Sequence, residues 1–275
     1  TRNVLSAYIN DPDRTIYHFK RECIEKSLYG VDIDPGAVEI AKLRLWLSLV
    51  VDEEDIRQIK PLPNLDYKIV CGNSLLGYPY TPTGLEKIEK LKELFFNETR
   101  PKEKNELREQ INNSVYNLYK NTEKSLGYKV NFDFEINFSE VFHKKGGFDV
   151  VIANPPYVKE AVNRSAFNGL RNTECYQGKM DIWYLFGSKG LDVLRNDGVV
   201  CFIATNNWIS NDGASKFRNK VVRQGEIVNF IDFRSYKVFA AGIQTMVFLV
   251  LKNSEKKEYV SRYAELLNEK ADNTL

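Results

Sequence analysis

Phe148-Asp149-Val150-Val151-Ile152-Ala153-Asn154-Pro155-Pro156-Tyr157 decides how the rest of the chain is read. A short apolar run with one acidic interruption is the pattern of a buried strand. It stops at two consecutive prolines, which lack an N–H and fix φ near −65°. Asn154 precedes a proline and is therefore kept out of the helical region. The stretch predicts a strand followed by a stiff loop. That loop presents an amide side chain, carbonyls free of ladder bonding, and an aromatic ring. In open α/β sheets, ligands sit beyond the carboxyl ends of strands.

These groups suit one chemical task. An exocyclic amine on a planar ring has its lone pair delocalised into the ring. The Asn154 side-chain oxygen and the Pro155 carbonyl can each accept one of its N–H groups, which favours a pyramidal nitrogen with an available lone pair. Tyr157 can stack on the ring face, a contact worth about 1–3 kcal/mol for a nucleobase. The competing explanation is a strand-ending turn with a packed tyrosine.

The chain has 275 residues and a formal net charge of +2, with 43% hydrophobic and 28% charged residues. That composition is ordinary for a globular protein with a real core, and it leaves room only for a local basic face. Cys23, Cys71, Cys175 and Cys201 are far apart and the chain has two histidines, so no zinc spacing or disulfide framework is visible. Free thiols in a reducing cytoplasm are expected. No apolar run reaches membrane length, and no signal peptide is expected.

Residues 5–26 read as a helix. Leu28 to Ile33 reads as a short strand, and Asp34-Pro35 opens a helix reaching about Val51, with Asp34 as N-cap. That helix is apolar on more than one face and is expected to be well buried. An acidic residue at a strand end before a helix is placed to grip ribose hydroxyls, and Asp32 is the better candidate because Asp34 is engaged in capping. Capping alone explains the pair equally well. Residues 66–76 read as strand then turn, with Asn73 at the strand end. Asn73 either holds the edge of an adenine or forms a turn with its own backbone.

Residues 82–126 change character. Apolar positions recur at helical spacing among many Lys and Glu on both sides of Pro101, which predicts a helical hairpin inserted into the main domain. Phe132, Phe134 and Phe138 pack the return, and His143 is expected in a loop. Residues 158–180 are polar and aperiodic, a mobile basic segment. Lys159, Arg164, Arg171 and Lys179 are its candidate phosphate contacts. A helix from Asp181 to Leu194 follows, then an Asp197-Gly198 turn and the apolar strand Val199–Ala204. A helix near Ala214–Val222, a strand from Ile227 to Phe233, a loop containing Phe239 and a strand from Thr245 to Leu251 complete the pattern. The last two strands are joined too closely for a helical crossover and are expected to be antiparallel. Phe239 is a candidate second aromatic wall, or a loop residue folded into the core. Residues 254–275 read as a charged tail, helical or frayed. The expected fold is α/β, a doubly wound sheet with an antiparallel edge hairpin and a helical insertion.

Taken together and in order, these motifs resemble the N6-adenine DNA methyltransferases of restriction-modification systems, the gamma-ordered, TaqI-like group. The resemblance covers about residues 20–252 apart from the helical insertion. It implies a methyltransferase domain over residues 1–81 and 127–253, interrupted at 82–126. Asn154, Pro155, Pro156 and Tyr157 would form the catalytic motif, with Tyr157 and Phe239 stacking on a flipped adenine. Asp32, Ile33, Asn73, Ser74 and Asn154 would hold S-adenosylmethionine. Double-stranded DNA is the implied partner, with an endonuclease or specificity module in the same chain or complex, and no metal is implied. The chain departs from the pattern in two respects. Residues 1–26 contain no glycine, although a glycine-rich motif normally precedes the position of Asp32, and the family often has Asp where this chain has Asn73. The first departure leads us to expect a piece of a longer protein, with that motif before Thr1, a recognition domain beyond Leu275 and weak cofactor binding by the chain alone.

Two other readings stay open. The same Asn-Pro-Pro-Tyr loop occurs in methyltransferases acting on the glutamine amide of release factors, and adenines in RNA pose the same problem. A non-catalytic assembly subunit could also keep the fold.

Overall fold

The computed structural model describes residues 16–51, 64–80, 82–239, 242–253, 255 and 258–266. The first part of the helix expected at 5–26 and several residues of the charged tail lie outside them. The chain divides into two compact units. One comprises residues 1–120 and 130–138, and the other residues 121–129 and 139–275.

The first unit begins with α1 (Ile16–Ser27), β1 (Gly30–Asp32) and α2 (Pro35–Val50). Asp34 caps α2 as expected, its side chain accepting from the Gly36 N–H at 2.7 Å. β2 (Ile69–Cys71) pairs with β1 in parallel, with Asp32 opposite Cys71. A core of Tyr17, Ile24, Val38, Leu49, Leu65 and Ile69 joins these helices and strands. The expectation that α2 is well buried fails, because Ile40, Leu43 and Leu47 are exposed and only Val38 and Leu49 are fully buried. An apolar sequence shows that a face can be buried; it does not supply the partner that buries it.

The insertion consists of α3 (Leu85–Asn97) and α4 (Pro101–Tyr119), packed together and joined through residues 98–100. Pro101 sits in the first turn of α4, where no N–H is needed. Leu85, Ile88, Leu91, Phe95 and Ile111 are buried, while Arg108 reaches Asp66 at 2.9 Å. Phe132 and Phe138 are buried and meet in a T-shaped pair at 5.5 Å. Phe132 also fixes Gly72 as glycine, since a Cβ there would lie 2.2 Å from the Phe132 Cβ.

The second unit carries α5 (Ser139–Lys145), which contains His143 in its last turn and not in a loop. It continues with β3 (Phe148–Ala153), α6 (Trp183–Val193), β4 (Leu194–Thr205), α7 (Ser215–Gln224), β5 (Gly225–Asp232) and β6 (Thr245–Lys252). Four residues of the tail expected to be helical or frayed, Arg262–Glu265, form a further strand, β7. The ladder order is β3-β4-β6-β5-β7. β3 and β4 are parallel, and β6 is antiparallel to both of its neighbours, as the short β5–β6 connection requires. β7 pairs in parallel with β5, so the antiparallel pair is not the outermost element on its side.

Register explains the Asp197-Gly198 turn. Phe148 pairs with Leu194, but Val150 already pairs with Val199, so the intervening residues bulge. Asp197 adopts φ 60° there, and a Cβ on Gly198 would meet the Phe148 carbonyl at 2.9 Å. Trp183, Trp208, Phe217 and Phe248 fill the core between helices and sheet. Trp183 and Phe217 meet at 5.6 Å, and Trp208 and Phe248 at 5.0 Å. Large aromatic rings bury much area each and lock the strand ends that carry the site. Among the described residues no helix is long and apolar enough to cross a membrane.

Candidate active site

β3 and β4 run side by side to their carboxyl ends, with Ile152 opposite Cys201 and Ala153 opposite Phe202. The chain leaves β3 at Asn154, which is exposed, as is Pro156, while Pro155 is buried and Tyr157 half-buried. The Tyr157 hydroxyl lies 3.1 Å from Asn154 Oδ1 and 3.0 Å from the Ile203 carbonyl of β4. The amide is thus held at the surface by a group anchored to the neighbouring strand. Burial pushes the Tyr157 phenol up, and the Asp181 charge adds to the shift, so the hydroxyl stays a neutral donor.

Phe239 is half-buried and its ring meets that of Tyr157 edge to face at 6.3 Å. Its loop is fastened at its base. The buried Asp232 carboxylate accepts from the Arg234 N–H at 3.0 Å, from Asn206 Nδ2 at 3.2 Å and from the Tyr263 hydroxyl at 3.2 Å. The Asn206 N–H reaches the Gln244 carbonyl at 3.2 Å. The ends of β4, β5, β6 and β7 are therefore tied together beside the aromatic pair. Sequence reasoning missed Asp232, Asn206 and Tyr263, which carry no motif of their own.

The segment expected to be a mobile basic loop has its own core of Phe167, Leu170, Cys175 and Met180. Its ends are zipped together. Lys159 and Asp181 form an antiparallel bridge, and the Glu160 N–H donates to the Met180 carbonyl at 2.9 Å. The buried Glu160 carboxylate accepts from the Tyr176 hydroxyl at 2.5 Å and from the Lys179 N–H at 2.9 Å. That grip holds Lys179 at φ 48°. The four candidate phosphate contacts, Lys159, Arg164, Arg171 and Lys179, are all exposed on this closed loop.

In the first unit, Asp32 is exposed at the end of β1, and its Oδ1 accepts from the Asp34 N–H at 2.9 Å. Ile33 beside it is exposed. Asn73 and Ser74 follow β2 and are half-buried. Asn73 Oδ1 accepts from the Leu75 and Leu76 N–H groups at 3.0 and 3.3 Å. The turn-forming alternative is thus realised. The Asn73 oxygen is engaged by the backbone, and Nδ2 is the part of the amide left to meet an adenine edge.

The Eco57I restriction-modification methylase family matches residues 26–239. The chain belongs to that family. It is 26% identical over 341 residues to a type II restriction enzyme and methyltransferase of Methanocaldococcus jannaschii, covering 91% of this chain and 28% of the relative. It is 25% identical over 255 residues to the type II restriction enzyme and methyltransferase RM.Eco57I of Escherichia coli, covering 90% of this chain and 21% of that protein. The chain thus spans less than a third of either relative. The ATP-dependent type ISP restriction-modification enzyme LlaBIII, solved bound to DNA, superposes over 96% of this chain and 16% of its own, with a TM-score of 0.55 and 13% identity. The fold is shared with LlaBIII, and S-adenosylmethionine is the methyl donor of the Eco57I-type methylases. The groups at the ends of β1 and β2 fit its nucleoside half. They offer an exposed carboxylate for ribose hydroxyls, an exposed Ile33 for the base face and an amide N–H for a ring nitrogen.

Proposed function

We propose that the chain is the catalytic part of an adenine-specific DNA methyltransferase of a restriction-modification system, which methylates N6 of a base turned out of the duplex. The observation carrying this reading is the exposed Asn154 amide, followed by two rigid prolines and met by the hydroxyl of a tyrosine anchored to the next strand.

A hydroxyl carries one hydrogen. When Tyr157 donates it to the Ile203 carbonyl, the phenol oxygen can accept an N–H of Asn154 after a half-turn of the amide. That turn frees Asn154 Oδ1 to accept one N–H of the adenine amine, and the Pro155 carbonyl accepts the other. The base lies against Tyr157, with Phe239 as the facing ring. Turning it out costs a few kcal/mol, returned by stacking and these hydrogen bonds. S-adenosylmethionine supplies an electrophilic methyl group, held through Asp32, Ile33, Asn73 and Ser74. The chain's own part is orientation of the nucleophilic nitrogen, without a covalent enzyme intermediate. Exposed cations on the closed loop contact DNA phosphates. An endonuclease or specificity module in the same protein or complex accompanies it, as the combined names of both relatives suggest.

Transfer of labelled methyl groups from S-adenosylmethionine to duplex DNA, RNA or a glutamine-bearing protein acceptor tests this reading. Label in DNA supports it; label only in the protein acceptor replaces it with amide methylation.

A further inference from the structure

The Asn-Pro-Pro-Tyr loop is electrically neutral, yet the transfer proposed for it builds positive charge on the acceptor nitrogen. One carboxylate beside the loop has no part in that account. Asp181 is 6% exposed, and its Oδ1 is buried with no hydrogen-bond partner among the described residues. An unpaired buried polar atom destabilises the fold and calls for an explanation. Its position is fixed by the backbone bridge to Lys159 and by the Ile182 N–H donating to the Val158 carbonyl at 2.9 Å. Val158 directly follows Tyr157. Burial pushes the Asp181 carboxyl up, whereas the Trp183, Val158 and Ile182 N–H groups and the exposed Lys159 favour its charged form. The other buried carboxylate of this loop, Glu160, is already engaged by Tyr176 and Lys179.

We propose that Asp181 is a positioning residue for methyl transfer, a buried and incompletely bonded carboxylate that holds the end of the catalytic loop and stabilises positive charge on the acceptor nitrogen. This rests on the amine-methylation reading above. In that step the nitrogen lone pair forms the new N–C bond, the C–S bond breaks and sulfur keeps the electron pair as a neutral thioether. Positive charge therefore moves from sulfur to nitrogen and disappears when nitrogen releases a proton to solvent. Fixed negative charge behind the loop favours the charge on the nitrogen side. The sequence offered one signal, an acidic residue two positions before the apolar helix α6, which begins at Trp183.

Asp181→Asn keeps the size and removes the charge. With duplex DNA, kcat is expected to fall about tenfold or more, while KM for DNA and for S-adenosylmethionine stay within about twofold. The melting midpoint should hold or rise, since a neutral amide is cheaper to bury than a carboxylate. Wild-type kcat in folded Asp181→Asn overturns the proposal, and a lowered midpoint with intact kcat assigns Asp181 to folding alone. Asp181→Glu, which keeps the charge, should retain more activity than Asp181→Asn; a folded but inactive Asp181→Glu also contradicts it. Asn154→Ala in the same assay separates the two claims. An active wild type, an inactive Asn154→Ala and an unaffected Asp181→Asn would sink the Asp181 proposal alone. A wild type that methylates no nitrogen acceptor sinks both.

Discussion

The Tyr157 and Phe239 rings meet edge to face, with centroids 6.3 Å apart and planes inclined at 60°. A base between two parallel faces needs about 7 Å, twice the ~3.4 Å rise of stacked bases. The pair is therefore closed, and on the proposed reading one ring would have to turn to admit a base. Tyr157 is pinned to Ile203 through its hydroxyl, so Phe239 is the ring expected to turn. Phe239→Ala should weaken binding of a turned-out base by about 1–3 kcal/mol, roughly 5- to 150-fold. Titration of DNA carrying fluorescent 2-aminopurine at the target position measures this, and Phe239→Trp should restore binding. An unchanged affinity in Phe239→Ala would remove it from the site.

The hydroxyl of Tyr157 and its ring have separable tasks. Tyr157→Phe keeps the stacking face and removes the tie to Ile203 and Asn154. Loss of a neutral hydrogen bond should cost about 1 kcal/mol of stability, read from the urea midpoint. An amide freed from its anchor should lower kcat about tenfold while KM for DNA holds. Equal losses in kcat and affinity would point to a disturbed ring instead.

Much of this site was legible because its signals are local. Two prolines after an apolar run fix a strand end, and Asp34-Pro35 fixes a helix start, whatever else the chain does. Asn73 showed its limit as a signal: one residue type serves both turn and ligand, and only the Leu75 and Leu76 N–H groups reveal which use is made of its oxygen. The 158–180 segment lacked periodicity because its order comes from Glu160 gripping Tyr176 and Lys179, a tertiary arrangement that no spacing records. The exposed face of α2 shows the converse, an apolar pattern that no neighbour among the described residues of its unit completes.

Lys220 fastens that closed loop to the helices. It is 1% exposed and reaches Asp192 at 2.6 Å, Glu174 at 2.8 Å and Ser188 Oγ at 2.9 Å. Lys220→Ala should destabilise by about 3 kcal/mol, the low end for breaking a buried pair, because Glu174 and Asp192 are 51% and 46% exposed and rehydrate. The hydrogen bond from Lys220 holds the Glu174 carboxyl below its ordinary value of 4.5, so its contribution is present above that pH and is lost as pH falls through the lower folded value. Burial pulls Lys220 down, but Asp192 and Glu174 outweigh it and raise it. Its contribution therefore persists below the ordinary value of 10.5 and is lost as pH rises through the higher folded value. Urea midpoints across pH should show both limbs flattened in Lys220→Met; identical pH profiles would refute the coupling.

Charge removal on the closed loop should act through salt. Neutralising Lys159, Arg164 or Lys179 should weaken DNA binding uniformly across sequences and reduce the slope of log K against log salt by about 1 each. Arg171 should matter less, since it already lies 4.0 Å from Glu160. Slopes unchanged from wild type would move the phosphate contacts elsewhere.

Nucleoside mass spectrometry of DNA treated with wild-type protein and with Asn154→Ala tests the central claim most directly. The account predicts N6-methyl-2′-deoxyadenosine with wild type and its loss, by about a hundredfold or more, with Asn154→Ala. Methyl groups appearing on cytosine, or on adenine with undiminished yield in Asn154→Ala, would contradict it.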